Sequence, residues 1–274
     1  MADHTVLKTA ELGSLDGRIA PSDDLTIPVT DEGLLRGDGV FEVIRVYDGV
    51  AFALDDHLHR LERSGANLRL PGVQRAELES EIPELLDARG GSEFDGSLRI
   101  VITRGGHRLL LTEPAPAKPP GVRLGLVTYA PTHVLDSIKS LSYGANMLCT
   151  RLAQERGFDE ALLVTPHGRV LEAPTSSIFW VVDGMLRTPP LDDHILDSIT
   201  RRLVLELADV EERSCVLGEL LDADEAFLAS TTREVQPVAA IDGRELPCGA
   251  SGQGGPLTCD LAARVHARIL ADLG

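Results

Sequence analysis

Of the 26 basic side chains in this chain only three are lysines: Lys8, Lys118 and Lys139. A lysine amine is the side chain that condenses with carbonyl compounds to form a Schiff base, so lysine chemistry here has few candidates. Lys8 lies near a terminus, and Lys118 sits in the run Pro114-Ala-Pro-Ala-Lys-Pro-Pro120. Lys139 alone is embedded in a patterned segment. A GC-rich genome that prefers Arg accounts for the ratio, but not for the placement. Metal chemistry has weaker claims. Asp55-Asp56-His57-Leu58-His59 and Asp192-Asp193-His194 have the composition of ligand sets. Neighbouring residues on a helix point in different directions, so the first is a poor chelate, and a solvated face and a helix N-terminus are the better readings. No G-x-S-x-G elbow, P-loop or G-x-G-x-x-G occurs. Gly249 to Gly255 precedes no phosphate-binding lysine and reads as a flexible turn.

The elements that must position Lys139 are mixed. Leu25 to Tyr47 reads as strand, turn and strand, and Asp48-Gly49 as a hairpin leading into Val50–Leu54. A helix starts at Asp55-Asp56, and a second covers Arg75 to Arg89, interrupted or restarted at Pro83. Leu98–Thr103 alternates as a strand. The proline-rich stretch 113–121 is the linker candidate and divides the chain into domains 1–120 and 121–274. Beyond it come a strand at Val122–Tyr129, a helix at Ala145–Arg156 and a strand at Glu160–Thr165. His167-Gly168 turns into Arg169–Glu172, and a hairpin of Ser177–Val182 and Met185–Thr188 closes around Asp183-Gly184. A helix at Ser198–Ala208, a strand at Glu225–Ala229 and a helix at Leu257–Leu270 complete the chain. Interspersed hairpins and helices favour α+β over a doubly wound sheet.

Composition narrows the partners. The net charge of −17 on 274 residues argues against nucleic acid, whose phosphates would be repelled. Met1 to Ala10 shows no signal-peptide pattern, and no apolar run approaches membrane-spanning length. The four cysteines (Cys149, Cys215, Cys248 and Cys259) make no C-x-x-C and no disulfide framework. The expectation is a cytoplasmic protein with reduced thiols.

Several ordered motifs carry a resemblance. Gly37-Asp-Gly-Val-Phe-Glu42, His57-Leu-His-Arg60-Leu61, Ile138-Lys139-Ser-Leu-Ser-Tyr143 and Gly157-Phe-Asp-Glu-Ala-Leu162 come first. Gly168-Arg-Val-Leu-Glu172, Thr188-Pro-Pro-Leu191, Ile199-Thr-Arg201 and Glu234-Val-Gln-Pro-Val238 follow. Together they resemble the class-IV aminotransferases, the fold type IV enzymes of pyridoxal 5'-phosphate (PLP), over residues 30 to 265. That resemblance implies a small N-terminal α/β domain, a larger C-terminal domain with a barrel-like sheet, and a homodimer.

The resemblance also implies roles. Lys139 matches the Schiff-base lysine that shuttles the substrate proton, and Glu172 the carboxylate on the pyridine nitrogen. Tyr143 matches the residue near the ring hydroxyl. Arg60, Ile199, Thr200, Thr231 and Thr232 match the phosphate-binding positions, where a guanidinium fork and a helix start suit an anion. Two positions depart from the pattern: Ser198 stands where Gly is usual before the Ile-Thr pair, and Ser177 where Asn is usual.

The implied reaction is ping-pong transfer of an amino group between an amino acid and a 2-oxo acid. Val43 resembles the D-amino-acid transaminases rather than the lyases, which often carry Thr. Arg36 replaces the Tyr usual in branched-chain enzymes and could clamp a carboxylate; a surface turn is its ordinary reading. Arg104 and His107, in Thr103-Arg-Gly-Gly-His-Arg108, are the other substrate-carboxylate candidates. A branched-chain L-amino-acid enzyme, an aminodeoxychorismate lyase and a non-catalytic PLP-binding paralogue stay open as alternatives.

Overall fold

The computed structural model describes residues 11–249 and 252–274. Lys8, the Met1–Ala10 segment and part of the Gly249–Gly255 run (residues 250 and 251) lie outside them. Two compact units result: one runs to Pro116 and takes in Lys139–Leu141, the other comprises Ala117–Ile138 and Ser142–Gly274. No helix of the described residues is long and apolar enough to cross a membrane.

The first unit is an antiparallel six-stranded sheet with three α-helices packed on it. Its strands are β1 (Leu12–Leu15), β2 (Arg18–Pro21), β3 (Gly39–Tyr47), β4 (Val50–Ala51), β5 (Gly96–Thr103) and β6 (Arg108–Pro114), in the order β2-β1-β6-β5-β3-β4. The helices are α1 (Glu32–Arg36), α2 (Leu54–Asn67) and α3 (Arg75–Arg89). Period-2 alternation sends Val40, Ile44, Val46, Leu98 and Ile100 to the core with Leu58, Leu61, Leu78, Ile82 and Leu85. Hairpins close on Asp-Gly pairs whose residues both have positive φ, as at Asp48 (47°) and Gly49 (80°) and at Asp16 (52°) and Gly17 (89°). That is the type I′ geometry that matches strand twist.

Two expectations change. The strand expected from Leu25 onward is replaced by irregular chain and the short helix α1. Asp31 starts α1 by accepting from Gly33 N–H at 2.7 Å, while Thr103 Oγ1 donates to its other oxygen at 2.8 Å; a capping carboxylate outweighs weak alternation. Pro83 does not break α3. It lies on the exposed face, where water can satisfy the carbonyl one turn back, while Leu78, Ile82, Leu85 and Leu86 pin the other face.

The second unit holds a mixed ten-stranded sheet that curls as a half-barrel. Its strands are β7 (Val122–Thr128), β8 (Glu160–Val164), β9 (Arg169–Val170), β10 (Ser177–Val182), β11 (Met185–Thr188), β12 (Val210–Glu212), β13 (Cys215–Val216), β14 (Glu225–Ser230), β15 (Glu234–Ile241) and β16 (Arg244–Glu245). The order is β12-β11-β10-β14-β15-β7-β8-β9-β13, with β16 beside β15; β7 runs parallel to both β8 and β15. Its helices are α4 (Gly144–Glu155), α5 (Ile199–Leu207), α6 (Leu217–Leu221) and α7 (Pro256–Leu273). Leu124, Leu162, Ile178, Trp180, Leu228 and Ile241 form its core, consistent with an α+β chain.

Helix α7 begins without a capping side chain of its own, on Gly255 and Pro256. Glu225 of β14 supplies the cap from outside: its carboxylate accepts from Leu257 N–H (3.2 Å), Thr258 N–H (2.8 Å) and Thr258 Oγ1 (2.7 Å). A Cβ at position 255 would run into that carboxylate. Glu225→Ala should therefore lower stability by about 1–3 kcal/mol through unsatisfied buried donors. Gly255→Ala should cause a loss in the same direction, and an unchanged urea midpoint in both variants would remove Glu225 from this role.

Candidate active site

Lys139 enters the first unit as a three-residue addition to β3. Phe41 N–H donates to Lys139 O (3.0 Å), Leu141 N–H donates to Gly39 O (2.8 Å), and Val40 bridges Ser140 antiparallel. Lys139 N–H donates to Ser64 Oγ on α2 at 3.1 Å. With its backbone fixed on both sides, the half-buried side chain places Nζ 4.4 Å from the centroid of the Phe41 ring, a cation–π distance.

Arg60, also on α2, is buried and clasped by Glu42: Nε donates to Oε1 and Nη2 to Oε2, each at 2.7 Å. His57 Nδ1 lies 2.8 Å from Glu42 Oε2. Burial alone would raise the Glu42 carboxyl, but Arg60 and His57 bring it down to about 2. Burial pushes His57 below its ordinary range despite Glu42 beside it. An ionised carboxylate only accepts, so the proton of the neutral imidazole sits on Nδ1. Nε2 then has no hydrogen-bond partner among the described residues. His59, two residues on, is largely exposed near Asp55, so the imidazoles of the His57–His59 run point apart.

Alternation along β3 sets Phe41 and Val43 on the face opposite Glu42. Val43 is half-buried and faces Arg99 of β5, whose fork is held by Glu113 at 3.0 and 3.1 Å. The other substrate candidates lie elsewhere in this unit. Arg36 is exposed and paired with Glu32 at 2.7 Å. Arg104 pairs with Asp38 and donates to the carbonyls of Leu68 (3.0 Å) and Arg69 (3.1 Å). His107 is half-buried with Nδ1 2.9 Å from Asp16.

In the second unit the segment Glu172–Ser177 makes contacts around several of the remaining candidates. Glu172 Oε1 accepts from Leu196 N–H at 3.1 Å, just ahead of α5. The Tyr143 hydroxyl donates to Pro174 O, which also accepts from Asn146 Nδ2 at 3.3 Å. Thr231 and Thr232 lie in the half-buried turn between β14 and β15. Arg233, the next residue, anchors that turn on Glu160 at 2.6 Å, and Glu160 in turn accepts from Thr175 Oγ1 at 3.1 Å. Ile199 and Thr200 open α5, both buried, with Ser198 Oγ accepting from Arg201 N–H at 3.3 Å. Ser198 has φ −79° and ψ 133°, an extended conformation that does not require the Gly usual there; the replacement gains a helix cap.

Sequence reasoning missed Glu42, Arg99, Glu160 and Arg233. Glu42 had a signal, a lone carboxylate inside the apolar run Val40–Ile44; Glu160 had none beyond its motif, and Arg233 lies just outside one.

These donor sets suit PLP. The first unit offers an amine and a buried guanidinium. The second offers a carboxylate and a nine-residue helix whose buried N-terminus favours a phosphate. The buried hydroxyls of Ser176, Ser177 and Ser230 in the second unit have no partner among the described residues, which leaves them able to donate to an anion.

The class-IV amino-transferase family profile matches residues 39–241. The chain is 33% identical to a D-alanine aminotransferase of Bacillus licheniformis over 94% of its own length and 96% of the relative's. It is 37% identical to a Methanocaldococcus jannaschii protein named provisionally as a branched-chain-amino-acid aminotransferase, over 84% and 88%. The structure of a hypothetical aminotransferase from Mycobacterium tuberculosis in its PLP-bound form superposes with a TM-score of 0.86 at 27% identity, covering 96% and 99%. The chain belongs to the class-IV aminotransferase family and is a PLP-dependent transaminase of fold type IV.

Proposed function

We propose that the enzyme takes its amino group from a D-amino acid, passes it to a 2-oxo acid by a ping-pong mechanism with Lys139 as the proton carrier, and works as a cytoplasmic homodimer. One observation carries the role of Lys139. Among the described residues it is the lysine outside the proline-rich run, and its backbone is fixed by β3 and α2 while its amine lies beside Phe41. PLP, when bound, supplies the carbonyl that holds the amino group and the ring that accepts electrons from the substrate Cα. In this reading Lys139 Nζ would take the proton from the substrate Cα and carry it along the same face to the cofactor's C4′. Glu172 keeps the ring nitrogen protonated, and its own carboxylate is oriented by Leu196 N–H. Arg60, Ile199, Thr200, Thr231 and Thr232 hold the phosphate, and Tyr143 lies toward the ring hydroxyl. Arg36, Val43, Arg104 and His107 remain the substrate candidates, with Arg99 added because it shares the Val43 face.

The D-donor reading is supported by the B. licheniformis relative and by Val43. A branched-chain L-amino-acid reading has its own support. Phe41, Val43, Val101, Leu109 and Leu111 share one side of the first sheet by strand register, an apolar surface suited to an aliphatic side chain. The M. jannaschii relative favours it as well. The two readings separate in the absorption spectrum of the purified holoenzyme. Bleaching of the yellow band of lysine-bound PLP by D-alanine and not L-leucine supports the D-donor reading. The reverse pattern replaces it. Lys139→Ala should bind PLP without a covalent bond reducible by borohydride and should lose turnover; full activity would end the assignment of Lys139.

Acidification should weaken the first unit in two stages. His57 sits below its ordinary value of 6.5 when folded, so its contribution is complete above that pH and is lost as pH falls below it. Glu42 sits at about 2 against an ordinary 4.5, so its share persists above 4.5 and fades toward 2. The melting temperature of the wild type should fall from pH 7 to pH 5, and His57→Asn should flatten that slope. Glu42→Gln should destabilise by about 3–5 kcal/mol above pH 4.5, since it leaves a buried guanidinium unpaired, and the difference from the wild type should shrink toward pH 2. A wild-type slope retained in His57→Asn would exclude His57 from the effect.

A further inference from the structure

The sequence reading sets aside Asp192-Asp193-His194 as a metal set, and as a contiguous triplet it does come apart. Asp193 is buried and bound by Arg169 (2.7 Å) and Ser214 (2.9 Å). His194, in the left-handed conformation with φ 63°, turns the other way. There it meets two residues from a loop 58 and more positions earlier, Asp136 and His133. His194 Nδ1 lies 2.7 Å from Asp136 Oδ2, and His133 Nδ1 lies 3.8 Å from the same oxygen. The two imidazoles meet edge to face with centroids 3.9 Å apart. One donor atom from each of the three side chains falls within 4.8 Å of the others. All three residues belong to the second unit.

We propose that His133, Asp136 and His194 form a binding site for a divalent first-row transition ion of the zinc class. The donor chemistry selects the ion: two imidazole nitrogens and one carboxylate oxygen suit zinc, nickel or copper, whereas calcium and magnesium take oxygen. The spacing suits it as well. Donors about 2.0–2.1 Å from a tetrahedral zinc stand roughly 3.3 Å apart. The observed separations of 2.7 and 3.8 Å fall on either side of that value, so small side-chain rotations would bring all three onto one ion. Three protein ligands leave a coordination position for water, and partial exposure gives the ion a path: His133 is 74% exposed, Asp136 38% and His194 30%.

The placement gives the site a consequence. Asp136 precedes Lys139 by three residues, and His194 precedes Ser198, the cap of α5, by four. An ion held by both loops ties the chain leading to the lysine to the chain leading to a phosphate-binding helix start. Zinc is therefore expected to stabilise the holoenzyme against heat.

The test uses metal-stripped holoenzyme titrated with zinc chloride against a chromophoric chelator, beside His133→Ala, Asp136→Asn and His194→Ala. One zinc per chain in the wild type, with affinity lowered at least about tenfold in each variant, is the expected result. Cobalt(II) added in place of zinc should give intense visible bands of low coordination number in the wild type and lose them in His133→Ala. His133 is largely exposed, so this variant should melt like the wild type without metal, which separates ligand loss from misfolding. Equal zinc affinity in the wild type and the His133→Ala/His194→Ala double variant would overturn the site. So would a wild type that takes up no zinc, which would leave the His194–Asp136 contact as a plain hydrogen bond. Turnover is not the readout, so the result is independent of which amino acid is the substrate.

Discussion

A guanidinium withdrawn from water must be matched by a carboxylate in good geometry, and in the first unit that match is Glu42 against Arg60. The pair is bidentate, buried, and spans from β3 to α2. Its geometry constrains much around it. Glu42 can reach Arg60 only if β3 keeps its register, because a one-residue slip would turn the carboxylate to the opposite face and bring Phe41 or Val43 in its place. The same register gives Gly39 and Phe41 the backbone groups that receive Lys139–Leu141. Arg60, the strand face and the lysine are thus fixed by one alternation. His57 adds a third buried polar group that shares Oε2 with Arg60, and its neutrality limits the positive charge that Glu42 must balance.

The second unit solves its positioning problem with backbone and short side chains. Glu172 accepts from Leu196 N–H, Tyr143 donates to the Pro174 carbonyl, and Arg233 holds the Thr231–Thr232 turn on Glu160. Each of these contacts involves the segment 172–177 or a residue hydrogen-bonded to it. A short segment that touches three others can hold them only if it is itself rigid. Its burial, with Ala173, Ser176 and Ser177 all nearly inaccessible, supplies that rigidity.

Much of this was legible in residue order, and the parts that were not share a cause. The hairpins at Asp48-Gly49 and Asp183-Gly184 follow from local chemistry, since both positions need positive φ. The same signal stands at Asp16-Gly17 and Asp242-Gly243, between weaker strands. Helix α3 could be bounded from its apolar spacing, although its Pro83 suggested a break that an exposed face absorbs. Helix α1 could not be anticipated from alternation, because the Asp31 cap is completed by Thr103, 72 residues away. The same holds at the site. Lys139, Arg60 and Glu172 were picked out by motif. The residue that holds Arg60 in place was not, because a buried ion pair 18 residues apart leaves only one carboxylate in an otherwise acid-free strand. Long-range partners are set by tertiary packing, and local pattern carries little of that information.

The two departures from the family pattern show how such packing absorbs change. Ser198 occupies a position where glycine is usual, yet its extended backbone needs no glycine, and its hydroxyl accepts from Arg201 N–H at the first turn of α5. A cap of this kind is worth about 1 kcal/mol, and it leaves the N–H groups of Ile199 and Thr200 for an anion. Ser177 replaces a longer amide, and its hydroxyl, like that of neighbouring Ser176, is buried with no partner among the described residues. An unsatisfied buried hydroxyl is destabilising by roughly 1–3 kcal/mol, so a fold retains one where a bound group completes it. The serines on the 172–177 segment are therefore better read as unsatisfied donors for a ligand than as a weakened cradle.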